Sequence, residues 1–391
     1  MKTDMFGISK DIDKLVYISR LYGADIEMVQ SGGGNTSVKN NGNIWIKLSG
    51  RKLRNIKDIN DFIELDLNKI KETLSDDALL TLLDSSRDVV IEKSLFLSEN
   101  SKTARRCSIE IFLHTLMEDK FVVHTHPVYT NAMTCSLDGR KIASFLFKES
   151  EFIWVPYRKP GYHLGLALLA AAVEHDKKFN CRPKIVFLQN HGLVVSGNDV
   201  DSIIMLTDKL RLSLREYFGE YKEVKSALKN NNVTEDLFSS LKKALRSMFP
   251  GKHYDLLASQ CPDVNLLSSD SRLFTLTIKG ALYPDYVVYC GKRPLMLGQE
   301  DEGSAIEEKV SEFIAKNGSF PKYAVIPGIG VCIIGANSAE LNNIEEMLKA
   351  HVKILILLLR KGQPVFLEDK ECEYLVGWEA EKYRQRETMV D

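Results

Sequence analysis

The chain has little of what would place it outside the ordinary globular proteins. Its longest apolar run near the C-terminus, Ile354 to Leu359, is far shorter than the roughly 20 residues needed to cross a bilayer. The opening stretch, MKTDMFGISKDIDK, carries charges but no apolar core of signal-peptide length, so a cytoplasmic protein that stays off membranes is expected. Neither sign of charge is in excess: 52 Lys and Arg face 53 Asp and Glu, a net charge of -1. Such a chain has no general attraction to nucleic acid or anionic membrane, and neither is expected as a partner. Any anion it binds must be met by local groups. The seven cysteines (107, 135, 181, 261, 290, 332 and 372) are scattered, with no C-x-x-C pair. An odd, dispersed set implies reduced thiols rather than a disulfide framework. The glycine run at 31–34 is no Walker loop, which would end in Gly-Lys-Ser/Thr. Gly328-Ile329-Gly330 with Gly335 has the wrong spacing for a dinucleotide motif and reads as a turn between strands. There is no internal repeat and no low-complexity segment.

What is present is an ordinary soluble composition, 44% hydrophobic and 27% charged, in 391 residues. That length exceeds what one core usually holds, so two domains are expected. Helical spacing runs from about Lys10 to Gln30, with Ile12, Leu15, Val16, Ile18, Leu21 and Tyr22 on one face. Asn40-Asn41-Gly42 between apolar runs is a strong hairpin signal. Helical character recurs at about 75–93, 164–175 and 200–218. Residues 95–106 read as a polar loop. The division expected is 1–222 as a first domain, 223–253 as a helical connector and 254–391 as a smaller α/β domain. Strands of that last unit are predicted near Leu273–Ile278, Tyr286–Tyr289, Ala324–Ile326 and Val331–Ile334, and helices near Ala305–Lys316, Ala339–Leu359 and Glu371–Arg386.

The most informative stretch is Cys107 to Pro127, read as a short helix and then a strand ending in His124-x-His126. Alternate side chains of an extended segment project to the same side, so the two imidazoles point together, as one metal ion requires. The best third ligand is His191, at a strand-to-turn junction before Gly192. Three neutral imidazoles leave a divalent ion with open positions, as catalysis needs. Zinc is the default for three histidines, and other divalent ions would fit. Glu110 lies nearby, with His114 one helical turn after it; His114 is read as a packed or supporting residue rather than a fourth ligand. The glycines around Asn35 and the Ser49-Gly50 turn, with Thr36 and Ser37, could form a neutral nest for a phosphate. Two glycine-rich hairpin ends without a ligand explain the same residues, and taken alone are the commoner case. Arg105, Arg106 and Ser108 at a helix start suit either an anion site or a plain cap. Tyr129, Tyr157 and His163 are as readily packing or surface residues as substrate contacts.

Gly34-Asn35-x-Ser37, Leu48-Ser49-Gly50, Ser108-x-Glu110-x-x-x-His114, His124-x-His126-Pro127 and Asn190-His191-Gly192 together resemble the class II aldolase/adducin family, over about residues 10–220. The resemblance implies an α/β/α sandwich with a central, mostly antiparallel sheet. It implies zinc on His124, His126 and His191, Glu110 as acid/base, and Asn35, Ser37, Ser49, Gly50 and Ser108 around a substrate phosphate. The implied substrate is a small phosphorylated sugar. The implied reaction splits a ketose 1-phosphate into dihydroxyacetone phosphate and an aldehyde through an enediolate stabilised by the cation. The carboxylate moving the proton would need a pKa raised towards neutrality, which burial of Glu110 between Ile109 and Ile111 would favour. The family also implies a homo-oligomer, commonly a tetramer. Within it the same scaffold serves epimerases, a dehydratase, decarboxylases and the non-catalytic adducins; the retained ligand set argues for an enzyme. Residues 283–289, 325–330 and 373–382 resemble the region after the aldolase domain in bifunctional rhamnulose-phosphate aldolase/alcohol dehydrogenases. By that resemblance the dehydrogenase half and its nicotinamide chemistry are not expected here.

Overall fold

A computed structural model describes residues 5–100, 105–222 and 232–390. The expectations for 1–4, for 101–104 in the polar loop and for 223–231 in the connector therefore lie outside the described residues. The first sheet has seven strands: β1 (Asn35–Asn40), β2 (Asn43–Lys47), β3 (Phe62–Asp66), β4 (Phe121–Thr125), β5 (Phe152–Val155), β6 (Ile185–Leu188) and β7 (Gly192–Gly197). Their order is β3-β2-β1-β4-β7-β6-β5. Every pairing is antiparallel except β5 with β6. Asn41 and Gly42 take positive φ (47° and 79°) and close the β1–β2 hairpin, the conformation for which Asn-Gly is preferred.

Alternation in the strands buries both faces. Val123, Phe187 and Val195 pack with the helices Met5–Gly23 and Val200–Phe218 on one side. Val122, Val186 and Val194 pack with the helices Ile111–Leu116 and Tyr162–Phe179 on the other. The result is an α/β/α sandwich with a mostly antiparallel sheet. Register then sets the site. Asn35 lies opposite His124, and His124 opposite Val194. The start of β1, the end of β4 and the β6–β7 turn therefore meet at one edge.

A smaller sheet follows, ordered β8-β11-β10-β9, from β8 (Asp255–Ala258), β9 (Leu295–Met296), β10 (Tyr323–Ile326) and β11 (Gly330–Gly335). One face carries the helices Asn232–Met248 and Ser304–Asn317, with Leu237, Leu241, Leu245, Ile306 and Val310 against Ala324, Ile326, Cys332 and Ile334. The stretch expected as a connector thus ends in a helix that packs onto this sheet. The other face carries the 24-residue helix Ser338–Lys361.

Two expected strands are helices instead, Ser271–Lys279 and Pro284–Cys290. Their β-branched and aromatic content favours strands, but end signals prevail. The Asp270 carboxylate accepts from the amides of Arg272 and Leu273, Pro284 sits in a first turn, and Gly291 (φ 76°) stops the second helix. The last helical segment divides into Asp369–Gly377 and Glu379–Val390. The two sheet units share a core: Ala132 and Met133 of the first belong to one apolar cluster with Tyr283, Leu355 and Leu358 of the second. Among the described residues no helix is long and apolar enough to cross a membrane.

Candidate metal centre

His124 is the fourth residue of β4, and His126 follows the strand's end. His191 sits in the turn between β6 and β7, after Asn190, which takes a left-handed conformation (φ 52°). All three are buried. Each offers one nitrogen within 4.8 Å of the others'. The Nε2 atoms of His124 and His126 are 2.9 Å apart. His124 Nδ1 lies 3.0 Å from the Leu193 carbonyl, which fixes that nitrogen as the N–H and leaves Nε2 facing the other rings. Gly192 makes the approach possible, since a Cβ there would lie 2.5 Å from the Thr125 carbonyl and 2.7 Å from the His126 ring.

Glu110 is the residue preceding the helix Ile111–Leu116, not a residue inside it. Its Oε1 is 2.8 Å from His191 Nε2 and its Oε2 is 3.3 Å from His124 Nε2. The Asn35 side-chain amide donates to Glu110 Oε2 at 2.7 Å and to Ser108 Oγ at 3.1 Å. Asn35 Oδ1 in turn accepts from His114 Nε2, and Ser37 Oγ donates to His114 Nδ1 at 2.7 Å. Ser37, His114 and Asn35 thus form a buried chain that ends on the Glu110 carboxylate. This is a supporting place for His114, and it turns the Ser37 hydroxyl away from the open space.

Burial pushes the Glu110 carboxyl upward, but the His124 and His191 imidazoles, by charge and contact, outweigh it and hold it well below the usual carboxylate range. The shift towards neutrality expected from burial is therefore reversed by the two imidazoles beside it. Burial lowers His124, yet Glu110 beside it prevails and raises it. For His126 burial prevails and lowers it despite Asp285. His114 is driven well down, first by burial and then by His124.

The residues that the motifs did not disclose come from elsewhere. Asp285, in the first turn of Pro284–Cys290, places Oδ2 2.7 Å from His126 Nδ1. Arg384 of the last helix donates to Asp285 Oδ1 at 2.6 Å, and its Nε lies 2.6 Å from Glu381. Lys47, at the end of β2, is buried and donates to the Arg51 carbonyl at 2.6 Å. These groups, with Ser49, Gly50, Ser108 and Glu110, line a small enclosed cavity of about 20 Å³ beside His191. Tyr129, Tyr157 and His163 do not line it. Tyr129 accepts from the Tyr221 amide, and His163 lies between Asp84 and Arg87. The one local signal for Asp285 was Pro-Asp at a helix start, and it was obscured by the strand reading.

The donor set suits a divalent cation. Three buried imidazoles converge, a carboxylate stands across two of them, and His191 Nδ1 has no hydrogen-bond partner. The His124–His126 separation of 2.9 Å, with all three nitrogens within 4.8 Å of one another, is close to the spacing of about 3.3 Å that ligands take around one ion at about 2.0 Å. His124, His126 and His191 are the residues that would hold it.

Residues 13–217, more than half of the chain, match the family model described as the class II aldolase and adducin N-terminal domain. A Bacillus subtilis (strain 168) protein named "Uncharacterized oxidoreductase YuxG" is 25% identical over 96% of this chain, and the chain spans 58% of that relative's length. Among solved structures, the N-terminal class II aldolase domain of a conserved Thermoplasma acidophilum protein is 26% identical, covering 53% of this chain and 93% of that one, with a TM-score of 0.44. An L-fuculose-1-phosphate aldolase from Thermus thermophilus is 16% identical, covering 53% and 98%, with a TM-score of 0.32.

Proposed function

We propose that this chain, which belongs to the class II aldolase and adducin family, is a zinc-dependent aldolase that cleaves a ketose 1-phosphate into dihydroxyacetone phosphate and an aldehyde. The observation that carries the reading is the buried histidine triad with Glu110 across two of its members. When bound, the cation would supply a Lewis acid for the electron pair left as the carbon–carbon bond breaks. Glu110 would accept the proton of the substrate hydroxyl on the carbon that becomes the aldehyde. It would then return that proton to the neighbouring carbon of the triose phosphate, so the proton inventory closes on one residue. Asn35 holds the carboxylate for both transfers, and His114 and Ser37 hold Asn35. Aldehyde and triose phosphate would leave Glu110 as it began.

The charges around the cavity favour an anionic substrate only when a cation is present. Above pH 7, where Glu381 is ionised, Glu110, Asp285 and Glu381 outnumber Lys47 and Arg384 by one; below it the two signs balance, and in either case a divalent ion makes the lining positive. Lys47, Arg384, Ser49, Gly50 and Ser108 are then the groups that would meet a phosphate. The enclosed space is water-sized, so a sugar phosphate can enter only if the lining opens. The reading also includes a homo-oligomeric, cytoplasmic enzyme, to be tested by light scattering and cell fractionation.

The experiment is a coupled assay for dihydroxyacetone phosphate released from a panel of ketose 1-phosphates, rhamnulose and fuculose phosphates included, with and without a chelator. Chelator-sensitive release from one sugar is the expected result. No release from zinc-loaded protein would overturn it and move the same residues to epimerase, dehydratase or decarboxylase chemistry.

A further inference from the structure

We propose that the second sheet unit is a working part of the metal centre, with Asp285 the positioning residue that fixes His126 and turns its Nε2 towards the ion. The proposal rests on the metal-centre reading above. Each histidine of the triad can give one nitrogen to a cation, and an acceptor at its other nitrogen fixes the ring's tautomer and orientation. For His124 that acceptor is local, the Leu193 carbonyl. For His126 it is Asp285, which comes from the other unit.

His126 Nδ1 and Asp285 Oδ2 lie 2.7 Å apart, and both residues are almost wholly buried, 2% and 4% exposed. Neither atom has an aligned hydrogen bond, to the other or to any third group, so the short contact is one with the carboxylate somewhat off the line of the ring N–H. The far oxygen of Asp285 is held at 2.6 Å by Arg384, whose Nε in turn lies 2.6 Å from Glu381. The carboxylate is thus clamped from behind by the last helix, and its negative charge favours a ring N–H at Nδ1.

The first unit is cut to receive this arrangement. A Cβ on Gly33 would fall 2.3 Å from Asp285 Oδ2 and 3.0 Å from His126 Nδ1. A Cβ on Gly32 would fall 2.5 Å from Thr388 Oγ1 and 2.7 Å from the Tyr289 hydroxyl, which accepts from the Gly32 amide at 3.1 Å. The glycine run that could have been a phosphate nest is therefore filled, in good part, by side chains of the second unit. The ligand on the β6–β7 turn is gripped in the same way. Asn190, directly before His191, donates from one side-chain nitrogen to the Leu282 and Val365 carbonyls at 2.8 and 2.7 Å. Two of the three ligands are anchored by residues 282–384, and the role of this unit follows from that.

The test is metal affinity, measured by competition of zinc and cobalt with a chromophoric chelator, in the full-length protein and in three variants. Asp285→Asn keeps the shape and removes the charge. Asp285→Ala removes the acceptor. Gly33→Ala wedges the carboxylate off the ring while leaving both partner residues unsubstituted. The expected result is about a 10- to 100-fold loss of affinity in each, with an altered cobalt visible spectrum, in proteins whose circular dichroism is unchanged. Wild-type affinity within twofold in folded variants would overturn the proposal while leaving the metal reading intact. A wild-type protein that takes up no ion would overturn both. A measurement on the unaltered chain does not depend on any variant folding: the ring nitrogen shifts of ¹⁵N-histidine-labelled, zinc-loaded protein. They should show His126 protonated at Nδ1 and metal-bound at Nε2, and the reverse pattern would overturn the proposal.

Discussion

Glu381 should weaken the metal-free protein as pH rises from 5 to 8. Its carboxyl is buried on the last helix, 2.6 Å from the Arg384 guanidinium. Burial raises it, Arg384 opposes, Asp285 and Glu110 add to the rise, and the balance carries it from 4.5 to about 7. The folded state therefore holds this proton more tightly than the unfolded chain does. The stability that the proton contributes is complete below pH 4.5 and is lost as the pH passes through 7. The interval corresponds to roughly 3 kcal/mol, and relaxation of the Arg384 contact reduces it to about 2–3 kcal/mol. Glu381→Gln stays neutral throughout and cannot show the loss. Urea unfolding of both proteins in chelator, at pH 5 and pH 8, isolates the effect. Other titrating groups and the altered contact with Arg384 cancel in the difference between the two pH values. The variant should gain about 2–3 kcal/mol on wild type between the two. A difference constant within about 0.5 kcal/mol would refute the reasoning.

Three further outcomes follow from the geometry. Glu110→Gln should lower kcat by about 10²- to 10⁴-fold while the protein still binds one ion, as read by the aldolase assay and by metal analysis. Gly50→Ala should cost about 1–3 kcal/mol, because φ is 83° and the new Cβ would lie 2.2 Å from the Glu387 Cβ; thermal melts should reveal the loss, and proteolysis should reach residues 379–390 sooner. Ile333→Ala, in the fully buried centre of β11, should cost about 2–5 kcal/mol in denaturant unfolding without changing metal affinity.

The first sheet was legible because its signals are local. Asn41-Gly42 specifies a hairpin by its backbone conformation, and the apolar runs at 121–123 and 185–188 are short, β-branched and bounded by turns. The convergence of His124, His126 and His191 follows from period-two alternation and a glycine turn, both readable without neighbours. The second unit was harder. Leu273–Ile278 and Tyr286–Tyr289 carry strand-like residues, and their caps, Asp270 and Pro284, are single residues easily outvoted. Asp285, Glu381 and Arg384 reach the site only through tertiary packing, far along the chain from the histidines they serve. Spacing cannot convey that. Nor could sequence tell that Ser37 turns to His114, or that two imidazoles would reverse the effect of burial on Glu110. Those are matters of which atoms end up within hydrogen-bonding reach of each other.

The central claim is that His124, His126 and His191 hold one catalytic divalent ion. X-ray absorption at the zinc edge of the zinc-loaded full-length protein tests it most directly, with His126→Ala as the comparison. The expected spectrum is one ion per chain with three imidazole nitrogens at about 2.0 Å and the remaining positions filled by oxygen, lost in the variant. Sulfur scatterers at about 2.3 Å, or an unchanged spectrum in His126→Ala, would place any ion elsewhere and contradict the assignment.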